Sequence, residues 1–349
     1  MSKVRFYIAM AAAKTAHRLL RLCGRAATHT PGAVATKLCP DFLRYLQKPE
    51  TLICVTGTDG KTTVSNLLAT VLQNNGYTVT NNSYGSNICE GVVSALLTDA
   101  TFSGKPKKQV GVLEVDERSS LKVYKYLTPD ILICNNIMRD SLKRNAHTEF
   151  ICYILNKQLP SSTKVVLNAD DLICSGLFPN NKDRTYFGVS ADRPENGAAT
   201  DEALRDIVYC PKCGAKLETE YVRYNHIGRH HCSSCGFASP KPDYDVTAIN
   251  REKGTFTVTH NGVDEEYKIV NDNIINIYNS CAVISVLHTF GLDYEKIHNA
   301  FETVKIVSSR FDIKKVGDYT IIGQLAKGQN PVACSIVFDY IRSEPGVKE

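Results

Sequence analysis

The stretch Cys54–Thr63, CVTGTDGKTT, decides the fold. It fits the phosphate-binding pattern G-x-x-x-x-G-K-[ST] except at Val55, which stands where that pattern has its first glycine. The apolar run TLICVT (51–56) precedes the loop, and the run SNLLATVLQNNG with helical spacing follows it. A strand, a tight glycine turn and a helix in this order favour a nucleotide site over a chance turn. The absence of the first glycine has to be explained.

The loop residues have the chemistry that such a site needs. Backbone N–H groups at the start of a helix, together with the helix dipole, attract phosphate. Lys61 would reach the β- and γ-phosphates of ATP, and Thr62 would offer its hydroxyl to Mg²⁺. The candidate nucleotide-binding residues of the loop are Thr58, Asp59, Gly60, Lys61, Thr62 and Thr63.

Further strands predict an α/β domain with a mainly parallel sheet. QVGVLEV (109–115), DILICNN (130–136) and KVVLNAD (164–170) alternate with helical stretches. Glu114 lies at the end of the first of these, and Asp116 follows it. Because ligands bind at the carboxyl edge of such sheets and Mg²⁺ takes one or two carboxylates, Glu114 or Asp116 is the candidate metal ligand. The alternative for either residue is a solvated acidic loop.

Two cysteine pairs predict a metal site of a different kind. Cys210 and Cys213, then Cys232 and Cys235, give the spacing C-x₂-C-x₁₈-C-x₂-C, which supplies four thiolates to a tetrahedral zinc ion. With four sulfur ligands the site is closed, so we interpret it as structural; free or redox-active thiols are the alternative. The histidines between the pairs are expected to be surface residues rather than ligands. They are His226, His230 and His231.

The composition is that of a globular protein of a reducing compartment. The chain has 13 cysteines, most of them single residues in apolar runs, which is typical of buried thiols in the cytosol. The net charge of +5 is too small to indicate nucleic-acid binding. The basic N-terminal segment has no apolar run of the roughly 18 residues that span a bilayer. A helix packed on its own domain is favoured there over one resting on a membrane.

Changes in residue composition and apolar periodicity along the chain predict three parts. An N-terminal helical segment covers residues 1–46, and an ATP-binding central domain covers 47–307 with a zinc ribbon inserted at about 205–240. Residues 308–349 would begin a C-terminal α/β domain, and they are too few for a sizeable core of its own.

Together these segments resemble the Mur ligase superfamily, whose loop [TS]-G-T-x-G-K-[TS] also lacks the first glycine. The inserted four-cysteine ribbon is similar to that of the MurT branch of the superfamily, the ligase-like subunits of lipid II isoglutaminyl synthases. The matching segments are Thr56–Thr62, Tyr84–Asn87, Leu113–Glu117, Asn135–Asp140, Leu167–Asp171, Asn276–Asn279 and Ser309–Asp312. Ser309 and Asp312 depart from the family's G-R-F-E, and residues 326–331 carry two residues more than its A-K-N-P.

The resemblance implies roles for single residues. Glu114 would be the Mg²⁺ ligand, Asn276 and Asn279 would face the adenine, and Arg310 would approach the nucleotide from the domain junction. Lys61, Glu114 and Arg310 would then carry the catalysis. The implied fold is a Mur ligase-like α/β domain with a phosphate loop and a parallel-rich sheet, an inserted four-cysteine zinc ribbon and a truncated C-terminal α/β domain.

The resemblance also implies a reaction. ATP would phosphorylate the α-carboxyl of D-glutamate in the lipid II stem peptide, and ammonia would displace the phosphate. The ammonia would come from a GatD-like glutamine amidotransferase subunit in a heterodimer, in the cytoplasm at the inner face of the plasma membrane. An amino-acid-adding Mur or folylpolyglutamate-type ligase is one alternative, and a non-catalytic nucleotide-binding subunit is another.

Overall fold

The computed structural model describes residues 3–82, 86–139, 147–193, 207–304, 311–317 and 319–324. Its strands are β1 Thr51–Thr56, β2 Val79–Asn81, β3 Val110–Glu114, β4 Ile131–Cys134, β5 Lys164–Asn168, β6 Arg184–Val189, β7 Glu218–Tyr224, β8 Ile227–His231, β9 Tyr244–Asn250, β10 Thr255–His260, β11 Val263–Lys268, β12 Phe311–Val316 and β13 Tyr319–Gln324. Its α-helices are α1 Lys3–Leu22, α2 Thr30–Leu38, α3 Lys61–Asn74, α4 Cys89–Thr98, α5 Ser120–Val123, α6 Thr148–Gln158, α7 Leu172–Ser175, α8 Ile274–Phe290 and α9 Tyr294–Thr303.

A nine-stranded sheet forms the centre of the molecule, in the order β11-β10-β9-β6-β5-β4-β1-β3-β2. The neighbours from β2 through β9 pair in parallel, while β9, β10 and β11 form an antiparallel meander. Strands β1 and β3 are buried along almost their whole length because helices cover both faces of the sheet. Their carboxyl ends meet at one edge of the sheet, which is where the phosphate loop lies.

Two helical layers enclose the sheet. Helices α3, α8 and α9 pack on one face, and α1, α2, α4, α5 and α6 pack on the other. Helix α8 is buried almost all round, which is why its sequence is apolar on every side rather than on one stripe. This burial fixes α8 beside the phosphate loop.

The N-terminal helices pack directly against the central domain. On its inner side α1 buries Phe6, Met10 and Ala13, whose spacing follows one helix face. The ring of Phe6 lies 4.9 Å from that of Phe42. Lys14 Nζ donates to the carbonyl oxygens of Leu97 and Ala100 at 2.8 and 2.7 Å, which fixes α1 to the end of α4. Among the helices that the structure describes, none is long and apolar enough to cross a membrane.

The α/β fold with a largely parallel sheet confirms the fold class predicted from the sequence. The strand β6 and the β7–β8 hairpin were not predicted. The hairpin lies between the two cysteine pairs, where polar and histidine-rich residues hide the alternation that marks a strand.

Candidate functional site

The loop between β1 and α3 has the backbone of a phosphate cradle. Gly57 and Gly60 have φ angles of +123° and +81°, a region that residues with a side chain rarely adopt. A Cβ on Gly57 would lie 2.9 Å from the carbonyl oxygen of Asn136, and one on Gly60 would overlap Asn279 Oδ1. Both positions therefore require glycine for the backbone conformation and for the close approach of their neighbours.

Val55 is still part of the strand. Its side chain is fully buried, and it pairs with Glu114 in the parallel β1–β3 ladder. The turn begins only at Gly57, two residues later, so no glycine is needed at position 55. The unusual spacing thus belongs to a shorter loop and is no defect.

Lys61 is held inside the loop by a carboxylate. Its Nζ donates to the carbonyl oxygens of Gly57 and Thr58 and lies 2.9 Å from Glu117 Oε1, with both side chains buried. Burial lowers the pKa of Lys61, but the negative charge of Glu117, with smaller contributions from Glu114 and Asp59, outweighs it and leaves that pKa raised. The cation is therefore kept charged where phosphate would bind.

The two candidate Mg²⁺ ligands lie side by side. Thr62 Oγ1 donates to Glu114 Oε2 at 2.8 Å, and Asn87 Nδ2 donates to Glu114 Oε1 at 2.9 Å. Asn82 fixes the backbone of Glu114 through two 2.8 Å hydrogen bonds. A hydroxyl and a carboxylate at one point are the hard oxygen ligands that suit Mg²⁺. Asp116, the other candidate, accepts a hydrogen bond from the backbone N–H of Arg118.

Asparagines on neighbouring elements line the other side of the loop. Asn136 Oδ1 accepts from the backbone N–H of Asp59 at 2.9 Å, and Asn135 Nδ2 donates to the Asp59 carbonyl oxygen at 3.2 Å. Asn279 is buried against Gly60 and donates to Asn276 Oδ1 at 3.3 Å. The buried Asn135 Oδ1 has no hydrogen-bond partner among the described residues, so an acceptor is left over beside the loop.

Most of the predicted nucleotide-site residues therefore gather at one edge of the sheet. Thr58, Asp59, Gly60, Lys61, Thr62 and Thr63 lie on the loop and the first turn of α3, Glu114 lies at the end of β3, and Asn276 and Asn279 lie on the first turns of α8. Arg310 is outside the described residues, as are Tyr84, Gly85 and Ser309.

The four cysteines form one cluster. Their Sγ atoms all lie within 4.8 Å of one another, with 3.6 Å between Cys210 and Cys235 and between Cys213 and Cys232. Tetrahedral zinc with bonds of about 2.3 Å needs sulfurs roughly 3.8 Å apart, so the cluster fits a closed zinc site.

The two halves of this cluster are the same turn, built twice. The backbone N–H groups of Cys210 and Cys232 each donate at 2.7 Å to the carbonyl oxygen five residues later. Gly214 and Gly236, which follow the pairs, have φ angles of +76° and +71°, and an added Cβ at either would meet none of the described atoms within 4 Å, so glycine serves the backbone turn alone.

The β7–β8 hairpin connects this cluster to the sheet. His226 Nε2 lies 3.0 Å from Asp171 Oδ1, and Arg229 Nη1 lies 3.3 Å from Asp170 Oδ1. Asp170 Oδ2 also accepts from Tyr278 Oη at 2.7 Å, so one carboxylate joins the ribbon to α8. Burial raises the pKa of Asp170, and these hydrogen bonds and the Arg229 charge act against that rise.

The expectation that the three histidines are surface residues was wrong for two of them. His226 and His230 are 1% and 4% exposed. His230 bonds to Thr219 Oγ1 and to the His226 carbonyl oxygen at 3.0 Å each, while the His231 side chain is 42% exposed beside Glu218. His226 is buried where the hairpin meets Asp171 after β5, and His230 is buried within the ribbon beside Thr219; residue type reveals neither contact.

The roles of two further site residues, Glu117 and Asn82, were not predicted from the sequence. Glu117 appeared only as the last residue of the matching segment Leu113–Glu117, and Asn82 was not singled out. Glu114 is the last residue of β3, Glu117 comes three residues later, and Asn82 comes directly after β2. That position at the ligand-binding edge of a parallel sheet is the signal that could have found them.

Comparison with known proteins agrees with this geometry. Residues 55–233 match the Mur ligase middle domain, about half of the chain, and the chain belongs to the Mur ligase family. Its curated relatives include two lipid II isoglutaminyl synthase (glutamine-hydrolyzing) subunits named MurT. The Staphylococcus aureus subunit is 32% identical over 86% of this chain and 67% of its own length. The Streptococcus pneumoniae subunit is 29% identical over 97% of this chain and 74% of its own length.

A solved structure supports the same fold. The pseudomurein peptide ligase type C from Methanothermus fervidus superposes with a TM-score of 0.65 at 26% identity, over 82% of this chain. The chain spans 56% of the length of that ligase.

Proposed function

We propose that the chain is the ligase subunit of a glutamine-dependent lipid II isoglutaminyl synthase. The observation that supports it most is the combination in one chain of a Lys61–Thr62–Glu114 phosphate site and a four-cysteine cluster inserted between β6 and β9. The similarity to MurT subunits extends along most of the same chain.

In the proposed reaction the γ-phosphoryl group of ATP passes to a carboxylate oxygen of the substrate, and ADP leaves. Ammonia then attacks the carbonyl carbon of the acyl-phosphate, phosphate leaves, and an amide forms. Positioning and charge neutralisation supply most of the catalysis in such transfers. Lys61 would exchange Glu117 for the β- and γ-phosphates. Thr62 and Glu114 would hold Mg²⁺, which neutralises phosphate charge when bound.

The remaining assignments are part of the same proposal. The substrate carboxyl would be the α-carboxyl of D-glutamate in the lipid II stem peptide, and ammonia would come from a GatD-like glutaminase subunit. Asn276 and Asn279 would contact the adenine, and Arg310 would approach the phosphates. A lipid-linked substrate of cell-wall synthesis would place the complex in the cytoplasm, at the inner membrane face.

The test is reconstitution with the glutaminase subunit. With ATP, glutamine and lipid II we expect amidated lipid II by mass spectrometry, and no product from the complex that carries Lys61→Ala. That variant should still co-purify with the glutaminase subunit, which shows that the complex is assembled. No amidation by the wild-type complex would refute the proposal.

The solved structure of a peptide ligase with this fold favours one alternative, the addition of an amino acid. Supplying free amino acids in place of glutamine tests it, because turnover under those conditions would identify an amino-acid-adding ligase. ATP binding without any turnover would identify a nucleotide-binding subunit without catalysis.

A further inference from the structure

The outward side of α1 exposes apolar residues along one line. Val4, Ile8, Thr15 and Leu22 are spaced by four, seven and seven residues, so they follow one another along the helix. Val4, Ile8 and Leu22 are 63%, 58% and 83% exposed. We call these four residues the outer α1 line. It lies opposite the buried residues Phe6, Met10 and Ala13, and none of the residues that the structure describes covers it.

The charge around this line is of one sign. The first 40 residues contain seven lysines and arginines and no aspartate or glutamate, whereas the rest of the chain has 34 basic and 36 acidic residues. The whole positive net charge of the protein therefore belongs to its first 40 residues. Arg18 and Arg21 are both exposed; at about 100° per residue Arg18 lies about 40° from Leu22 around the helix, and Arg21 lies about 100° from it, at the flank of the line.

The helix also has the rigidity of a docking surface. Lys14 points inward to the end of α4, and the Phe6 ring packs on Phe42. With 20 residues, α1 presents a straight face about 30 Å long. Such a face needs no folding on contact, so its binding would cost little conformational entropy.

We propose that the outer α1 line and the arginines beside it dock on an anionic lipid bilayer, with α1 parallel to the surface. Exposed aliphatic residues flanked by lysine and arginine match the boundary between acyl chains and anionic headgroups. Nucleic acid would attract the arginines but offers nothing to Val4, Ile8 and Leu22. A second copy would bring Arg18 and Arg21 of both copies close together, which opposes self-association through this face. The inference stands on α1 alone and does not require the proposed amidation.

The test is flotation of the full chain with vesicles that contain neither lipid II nor ATP. Vesicles of phosphatidylcholine with about a third phosphatidylglycerol should carry the protein, and pure phosphatidylcholine vesicles should carry much less. Each lost cation is expected to weaken binding roughly five-fold. Arg18→Gln with Arg21→Gln should therefore lower affinity about 25-fold. Ile8→Ser with Leu22→Ser should lower it about ten-fold or more through lost apolar burial.

Matched control variants distinguish binding through the outer α1 line from general effects of net charge and of exposed apolar residues. Lys241→Gln with Lys253→Gln removes the same charge from exposed positions far along the chain and should bind as the wild type does. Phe150→Ser with Val263→Ser removes exposed apolar residues elsewhere and should also bind normally. Unchanged thermal unfolding of each variant confirms that it is folded.

Several results would overturn the inference. One is equal flotation of the wild type and the Arg18→Gln, Arg21→Gln variant. Another is a concentration-dependent dimer that Ile8→Ser with Leu22→Ser makes monomeric, because the face would then join two copies. A wild type that does not float but amidates lipid II in detergent would overturn this inference and leave the proposed function intact.

Discussion

Lys61 and Glu117 form a buried ion pair within the phosphate loop, with 2.9 Å between Nζ and Oε1. Without nucleotide, the Glu117 carboxylate supplies the negative charge that the ATP phosphates would supply when bound. It thereby keeps Lys61 protonated. Glu117 is thus part of the site even though it need not touch ATP.

The first prediction concerns the pH dependence of ATP binding. Burial lowers the pKa of Lys61 and Glu117 raises it, so Glu117→Gln should leave a lower pKa than in the wild type. Lys61 of the variant would then lose its proton at a lower pH, so ATP affinity should fall at a lower pH than in the wild type as the solution becomes alkaline. Calorimetric titration at increasing pH measures the effect. Lys61→Ala should bind weakly at every pH, and superimposable curves for wild type and Glu117→Gln would contradict the argument.

The second prediction concerns the Thr62 hydroxyl. Thr62→Val keeps the shape of the side chain but removes the oxygen that bonds to Glu114, so the Mg²⁺ concentration needed for half-maximal ATP turnover should rise about 10- to 100-fold. Thr62→Ser keeps the oxygen and serves as the matched control. Equal Mg²⁺ requirements for the valine and serine variants would argue against this hydroxyl as a ligand.

The sequence predicts those parts of the fold that depend on residues close together in the chain. The apolar strand, the glycine turn and the helix around Lys61 are contiguous in sequence, and each of the two cysteine pairs is a local C-x₂-C turn. The burial of His226 and the pairing of Lys61 with Glu117 depend on residues 55 and 56 positions apart. Such contacts follow from strand order, and β6 and the β7–β8 hairpin, which set part of that order, have no clear apolar alternation.

The third prediction is that the purified protein contains about one zinc ion per chain. Cys210→Ser or Cys232→Ser should abolish zinc binding, because each removes a buried ligand from a four-sulfur set. Metal analysis of the purified protein measures this. Cys23→Ser changes an exposed cysteine at the end of α1 and should leave the zinc content unchanged. Full zinc occupancy in Cys232→Ser would show that the cluster is not the metal site.

The fourth prediction distinguishes two reasons for a glycine: the strain of a positive φ angle and the close approach of a neighbouring side chain. Gly60 and Gly76 have nearly equal φ angles, +81° and +84°. An added Cβ at Gly76 meets nothing within 4 Å, whereas one at Gly60 meets Asn279. Gly76→Ala should therefore cost only the strain of about 1–2 kcal/mol in urea unfolding and keep ATP binding. Gly60→Ala should lose ATP binding as well. Equal ATP affinities would mean that Asn279 can move aside.

The fifth prediction concerns the link between the ribbon and the loop. His226→Ala leaves Asp171 buried without that partner, so the free energy of unfolding should fall by about 3 kcal/mol while zinc content is unchanged. His231→Ala, at a half-exposed pair with Glu218, should cost less than about 1 kcal/mol.

The same histidine is connected to the nucleotide site through two side chains. Asp171 Oδ2 accepts from the backbone N–H of Ile137 at 2.7 Å, and the next residue, Met138, donates its N–H to Thr58 Oγ1 at 2.8 Å. Loosening Asp171 should therefore shift the phosphate loop and raise the Kd for ATP by roughly two- to thirty-fold, as expected for a coupling of about 0.5–2 kcal/mol. The measurement is ATP titration of His226→Ala at a temperature where it is fully folded. An unchanged Kd there, with lowered stability, would mean that the ribbon supports the fold without acting on the nucleotide site.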